Sequence, residues 1–318
     1  VQVIKIHHPY SKEQIPSENV VMVLGFFDGV HLGHQKVIQE GKKQAEAKGL
    51  KLAVMTFNQH PSIVFQKIQA ETMKYLTNTK QKEQKMASLG VDYLYEVSFT
   101  SAFARLAPQE FVLQYLVKLH AAVVVAGFDY TYGPRDIATM DNLPLYAQGR
   151  FEIICVGKQE WQAEKISSSR IRALLDIGNL SAANRLLGYT YTIDGTVVHG
   201  DARGRTLGFP TANIQVDGHV RLPKVGVYAV KIRVGDTWYE GMASIGYNVT
   251  FGIGRAMTVE VYILNFHQDI YGESVEVAWY QYLREEIKFD GVESLIAQLK
   301  QDESDTRRYF LNESSEQV

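Results

Sequence analysis

Cysteine is almost absent from this chain: Cys155 is the one thiol in 318 residues. No internal disulfide is possible, and no Cys/His group has zinc-ligand spacing, which excludes a disulfide-framed secreted module and points to a reducing compartment, the cytoplasm. Long apolar runs are missing as well. None approaches the roughly 20 residues that a membrane-spanning helix needs, and no charged leader with an apolar segment opens the sequence, so neither a membrane partner nor export is expected. Nor does one sign of charge dominate. The 33 Lys and Arg against 35 Asp and Glu leave a formal charge of −2, too little to attract nucleic acid in general. A phosphate site, if there is one, must be local. Composition alone does not fix whether the chain self-associates.

What is present is a change of texture about halfway along. The first part alternates β-rich runs (20–26, 51–57, 92–97, 121–127, 151–157) with helical patterns (33–48, 79–89, 108–119), the signature of a parallel α/β sheet. Residues 168–187 read as two helices broken at Gly178-Asn179. After Tyr189 the runs at 191–199, 226–234, 238–245, 257–265 and 275–283 are separated by Gly, Asp and Asn, which predicts an antiparallel barrel or sandwich. A helix over 292–311 follows. The chain therefore divides into domains 1–187 and 188–318, as its length also favours.

Two segments of the first half carry chemistry. Gly25-Phe26-Phe27-Asp28-Gly29-Val30-His31-Leu32-Gly33-His34 lies where an apolar strand gives way to a helix. Free backbone N–H groups and the helix dipole there favour an anion, and two imidazoles add donors. A tight Asp-Gly turn with two surface histidines fits the letters equally, whereas a metal site lacks a third ligand. Lys165-Ile166-Ser167-Ser168-Ser169-Arg170-Ile171-Arg172 again precedes a helix. An N-cap explains one serine; three serines and two arginines together suit a triphosphate.

The pair resembles the nucleotidyltransferases that carry a His-x-Gly-His motif and a late Ile-Ser-Ser-Ser/Thr-x-x-Arg motif. With Thr56-Phe57 and Gly127-Phe128-Asp129-Tyr130, the first half is similar to the FMN adenylyltransferase module of the bacterial bifunctional riboflavin kinase/FAD synthetases. That resemblance implies a Rossmann-like domain in which His31, His34, Ser167, Ser168 and Arg172 meet the ATP phosphates. It also implies that Gly25, Phe27, Asp28 and Gly33 shape the nucleotide loop, and that Asn58, Phe128 and Asp129 lie near nucleotide or flavin. The sequence departs from the family pattern at Asn58-Gln59, where an acidic residue and proline are common, and at Thr131, where arginine is.

In the second half, Gly204-Arg205-Thr206-Leu207-Gly208-Phe209-Pro210-Thr211-Ala212-Asn213 stands without any Walker-type loop. If extended, Thr211 and Asn213 share one face, and neutral oxygens side by side suit Mg²⁺; a Gly-Pro turn entering a solvent-facing strand is the plainer alternative. Gly208-Phe209-Pro210-Thr211-Ala212-Asn213 nevertheless resembles the hallmark of riboflavin kinase domains, and Gly226-Val227-Tyr228, Ser244-Ile245-Gly246, Val259-Glu260-Val261, Tyr271-Gly272 and Leu283-Arg284 follow in that family's order. The likeness implies a β-barrel with a C-terminal helix. In it Thr211 and Asn213 hold Mg²⁺ and ATP phosphates, Glu260 acts as base, and Gly204, Arg205 and Phe209 shape the nucleotide loop. Tyr247 and Val249 stand where threonine and proline are commoner. The activities implied are phosphorylation of riboflavin to FMN and adenylylation of FMN to FAD, with ATP as donor in both. A kinase beside a degenerate first domain, a non-catalytic flavin-binding regulator, and a nucleotidyltransferase with another acceptor are the rival readings.

Overall fold

The computed structural model describes residues 1–65, 72–200, 203–246 and 257–316; Tyr247 and Val249 lie outside them. Two compact units emerge, Val1–Ser168 and Ser169–Val318.

In chain order the first unit contains β1 (Gln2–Ile6), β2 (Val20–Leu24), α1 (Leu32–Lys48), β3 (Lys51–Phe57), α2 (Ser62–Phe65), α3 (Thr79–Ser88), β4 (Tyr93–Val97), α4 (Ser101–Ala104), α5 (Pro108–Phe111), β5 (Ala121–Gly127), α6 (Leu143–Ala147), β6 (Glu152–Val156) and a small β7–β8 hairpin (Glu160–Trp161, Glu164–Lys165). Six strands form one sheet in the order β1-β4-β3-β2-β5-β6, every pair parallel. Strand β2, Val-Val-Met-Val-Leu, is buried at all five positions, as a central strand covered on both faces must be. Val21 and Val23 pack with Ile38 of α1; Val20, Met22 and Leu24 face the aromatic layer of Phe103, Phe111 and Tyr115. Gly41 lets α1 press against the sheet, since a Cβ there would lie 2.3 Å from a Val23 methyl.

The single helix expected over 108–119 is instead α5 followed by a π-helical stretch, Val112–Val117. Its wider turn shows in the Lys118 N–H to Leu113 carbonyl bond of 3.0 Å, and it buries Val112, Tyr115 and Leu116 in that aromatic layer.

The second unit starts with α7 (Ser168–Asp176, its first residue belonging to the first unit) and α8 (Leu180–Leu187), then β9 (Thr192–Val198), α9 (Arg203–Thr206), β10 (Thr211–Val216), β11 (Gly226–Val234), β12 (Thr237–Gly246), β13 (Thr258–Ile263), β14 (Ser274–Arg284) and α10 (Val292–Glu316). The six strands close into a barrel, β10-β13-β12-β11-β14-β9, with antiparallel pairing throughout. Closure removes free strand edges and settles barrel against sandwich. The paired helices α7 and α8 pack with the barrel: the Lys224 N–H donates to the Leu175 carbonyl at 2.9 Å and the Asn184 side chain to the Trp279 carbonyl at 3.0 Å. Packing thus divides the chain ahead of these helices, while the sequence reading placed a boundary after them.

Helix α10 is fastened by Arg284 of β14, which makes bonds of 2.8 and 2.6 Å to the two carboxylate oxygens of Asp302. Asp302 is 2% exposed and also accepts from Gln298 at 2.9 Å. Removing one partner of such a pair strands a desolvated charge. Asp302→Ala is therefore expected to destabilise the barrel unit by about 3 kcal/mol, read as a lower thermal midpoint in calorimetry; an unchanged midpoint would show that the pair contributes nothing net.

Candidate functional site

The first site follows from sheet topology. Leu24 of β2 pairs level with Ala126 of β5; β3 and β4 continue on one side of this pair and β6 on the other. Where strand order reverses, the loops leaving the carboxyl ends part and open a crevice for ligand. Residues 25–31 leave β2 there and residues 128–130 leave β5.

The β2–α1 loop turns through left-handed backbone at Phe27 (φ 57°), Gly29 (φ 81°) and Val30 (φ 37°). Side chains rarely adopt this conformation unless their surroundings hold them in it, and here the surroundings are visible. Phe27 is 2% exposed and folds over Gly25, where a Cβ would lie 2.6 Å from its ring. Asp28, also 2% exposed, turns inward, its Oδ1 accepting from the backbone N–H groups of Leu76 at 2.9 Å and Thr77 at 3.3 Å. The Gly29 N–H donates to Thr77 Oγ1 at 3.1 Å.

His31 caps α1 with its ring: Nδ1 accepts from the His34 N–H at 3.2 Å. In the neutral ring that bond leaves the proton on Nε2. The two imidazoles stack with centroids 3.6 Å apart, and a Cβ on Gly33 would press on the His31 ring at 3.2 Å. His34 meets the edge of Phe27 at 5.2 Å, and its Nδ1 is buried without a hydrogen-bond partner. Burial first, then the electrostatic influence of neighbouring His31, Lys82 and Lys165, holds its pKa well below the usual imidazole value. It is a neutral ring in an electropositive pocket.

Residues 165–168 border the same crevice. Ser168 Oγ donates to the Asp28 carbonyl at 2.9 Å, Lys165 ion-pairs with Asp129, and its ammonium lies 5.1 Å from the Phe128 ring centroid. Both motif segments and the β5 loop are thus brought together. Ser167 immediately precedes α7, and Arg172 follows one turn into it. Asn58 Oδ1 accepts from the Phe99 N–H at 2.9 Å and Gln59 donates to the Phe99 carbonyl at 2.8 Å, so the two residues that depart from the family pattern tie the loops after β3 and β4. Thr131 makes an isolated bridge to Thr139. Among the described residues no group of three His, Cys, Asp or Glu side chains could hold a metal. Sequence reasoning missed Lys82, 8% exposed on α3, because a lysine in a polar helical stretch looks solvent-facing.

The second site lies on the barrel. Across the antiparallel pair β10/β13, Asn213 stands opposite Glu260 and Thr211 opposite Tyr262. Thr211 and Asn213 share a face, and Thr211 Oγ1 donates to Glu260 Oε2 at 3.2 Å. Two glycines ahead of β10 approach closely: a Cβ at Gly200 would overlap the Asn213 carboxamide at 2.2 Å, and one at Gly204 would lie 2.2 Å from the Phe209 carbonyl oxygen. Phe209 is buried and packs against Tyr262 at 5.2 Å. An open cavity of about 410 Å³ borders Thr211, lined also by Arg205, Phe266 and Tyr271, a volume suited to a small molecule.

Comparison with known proteins matches a different family to each half of the chain. A family model described as FAD synthetase matches residues 13–170, and one described as riboflavin kinase matches residues 187–310. The chain is 55% identical over 310 residues to the bifunctional riboflavin kinase/FMN adenylyltransferase of Listeria monocytogenes, covering 98% of each. It is 44% identical over 308 residues to the Bacillus subtilis protein of that name, covering 96% of each. A solved structure described as a macrolide-efflux protein from Streptococcus pneumoniae superposes with a TM-score of 0.87 at 41% identity, covering 96% of this chain and 99% of that one. Among the described residues no helix is long and apolar enough to cross a membrane.

The depressed basicity of His34 gives a direct test. The unfolded chain takes up this proton near pH 6.5 and the folded chain resists it, so the group's contribution to stability is present above that pH and declines below it. In imidazole NMR spectra His34 should keep its neutral-form shifts from pH 8 down to about 6; a midpoint at the ordinary value would contradict the buried, electropositive setting.

Proposed function

From the premise that the chain belongs to the bifunctional riboflavin kinase/FMN adenylyltransferase family, we propose that each of its two sites performs one of the two ATP-dependent steps. The barrel unit transfers the γ-phosphoryl group of ATP to riboflavin, giving FMN and ADP; the parallel-sheet unit transfers the adenylyl group of a second ATP to FMN, giving FAD and pyrophosphate. One observation carries the assignment: motif residues far apart in sequence close onto one another in each unit, Ser168 on Asp28 and Thr211 on Glu260.

In adenylylation a phosphate oxygen of FMN attacks the α-phosphorus of ATP in line while pyrophosphate leaves. No covalent enzyme intermediate is needed, so catalysis consists of positioning and charge stabilisation. His31, with Nε2–H as donor, and His34, with a buried and unpartnered Nδ1, donate to phosphate oxygens. Ser167 and Ser168 bind the triphosphate, and the motif assigns Arg172 the charge of the departing pyrophosphate. Gly25, Phe27, Asp28 and Gly33 fix the loop that receives it. Phe128 and Asp129 border nucleotide or flavin, and Asn58 contributes from the end of β3.

In phosphorylation the ribityl hydroxyl attacks the γ-phosphorus. Glu260 takes up the hydroxyl proton, while Gly204, Arg205 and Phe209 shape the loop over the nucleotide. Thr211 and Asn213 supply oxygen atoms, the donors a hard cation takes, and we assign Mg²⁺ to them; when bound with ATP it provides positive charge against the phosphates. Residues 1–187 and 188–318 are taken as the functional domains. A cytoplasmic setting, where ATP is available and a lone thiol stays reduced, completes the proposal.

Variants separate the two halves. With riboflavin, ATP and Mg²⁺, His31→Ala should convert riboflavin to FMN and stop there. Glu260→Gln should phosphorylate riboflavin about 10²- to 10⁴-fold more slowly while still adenylylating added FMN. Flavin separation over time checks both, and normal riboflavin turnover by Glu260→Gln would remove the base from that residue.

A further inference from the structure

Lys82 is a buried cation that no motif assigns. It projects from α3, is 8% exposed, and places Nζ 3.0 Å from the Phe26 carbonyl oxygen and 3.4 Å from Thr56 Oγ1. Its ammonium also stands 4.6 Å from the Phe26 ring centroid. The same carbonyl accepts from Thr56 Oγ1 at 2.8 Å, so two donors, one of them charged, hold the first turn of the loop that leaves β2. Among the described residues no carboxylate forms an ion pair with Lys82. Asp28 from the β2–α1 loop and Glu96 from β4 act on it at longer range as favourable charges, and it acts in turn on His34 of α1.

A desolvated ammonium without a contacting counter-ion is a liability for folding. An apolar side chain of similar length in such a place is commonly neutral or stabilising, so folding does not account for a lysine here. The charge lies at the carboxyl ends of β2 and β3, against the loop that carries Asp28 and His31 and leads to His34 of α1. A polyphosphate entering the crevice would bring more negative charge than the longer-range carboxylates of Asp28 and Glu96 supply.

We propose that Lys82 is a positioning residue for adenylyl transfer, a fixed positive charge that orients the Phe26–His31 loop and gains a close counter-charge when the phosphates of the nucleotide and FMN occupy the crevice. The proposal rests on the adenylyltransferase reading of this site. Burial lowers the Lys82 pKa to about 8 against the opposing influence of Asp28 and Glu96. The cation is therefore present below that pH and is lost as pH rises through it.

The test is steady-state kinetics of FMN adenylylation by the full chain carrying Lys82→Met, Lys82→Gln or Lys82→Arg, with riboflavin phosphorylation in the same preparations as reference. Expected is a fall in adenylylation kcat of ~10²-fold for Met and Gln, larger than any change in KM for ATP, with kinase turnover unchanged and a thermal midpoint for the first unit no lower than the unsubstituted chain's. Wild-type adenylylation should decline above about pH 8, and Lys82→Arg, which stays charged throughout, should lose that alkaline decline. Full adenylylation by the Met and Gln variants would overturn the proposal. So would a lowered midpoint in both, which would make the lysine structural. If the unsubstituted chain itself formed no FAD, the adenylyltransferase reading would fall before any variant was compared.

Discussion

The buried carboxylate of Asp28 is the constraint on which the first site depends. A loop that departs from regular structure at the end of a central strand leaves backbone groups that sheet and helix cannot satisfy, and this one carries left-handed backbone at residues bearing side chains as well. Asp28 answers part of that demand by accepting two N–H groups from Leu76 and Thr77, charge-assisted bonds worth about 1.5–3 kcal/mol each. With its side chain committed inward, its carbonyl receives Ser168, and the turn that follows delivers His31 to the N-terminus of α1. Loop conformation, helix cap and approach of the second motif are consequences of one inward-facing acid.

The barrel solves a different problem with strand register. Antiparallel pairing sets Asn213 of β10 opposite Glu260 of β13, and alternation places Thr211 on the same face two residues earlier, close enough to bond the glutamate. The group assigned to remove a proton and the groups assigned to the phosphates are fixed by main-chain ladders rather than by loops. Glycine at positions 200 and 204 leaves room for the Asn213 carboxamide and the Phe209 carbonyl, which a Cβ at either position would meet.

Much of this was legible in the sequence because local patterns carry it. The strands of the parallel sheet other than β1, the paired helices α7 and α8, and the barrel strands β9 and β11 to β14 follow from periodicity and turn residues. His31 with His34, and Thr211 with Asn213, stand out through spacing. What escaped depends on distant partners. β1 is a five-residue edge strand with only two buried positions, so its own pattern is thin. The π-helical turn at 112–117 has the composition of an ordinary helix. Asp28 reads as the first residue of a tight turn, and nothing local says that it faces Leu76 and Thr77. Lys82 sits among Lys80, Gln81, Glu83 and Gln84, and its burial under Phe26 is a tertiary fact.

The central claim is that one chain holds two separate sites acting in sequence on a flavin. The measurement that tests it most directly is a time course of the unsubstituted protein with riboflavin, ATP and Mg²⁺ in which flavins, ADP and pyrophosphate are quantified together. The account predicts that FMN rises first and then falls as FAD accumulates, with ADP matching all riboflavin consumed and pyrophosphate matching FAD alone. Release of ADP with FMN as the final flavin and no pyrophosphate would contradict it.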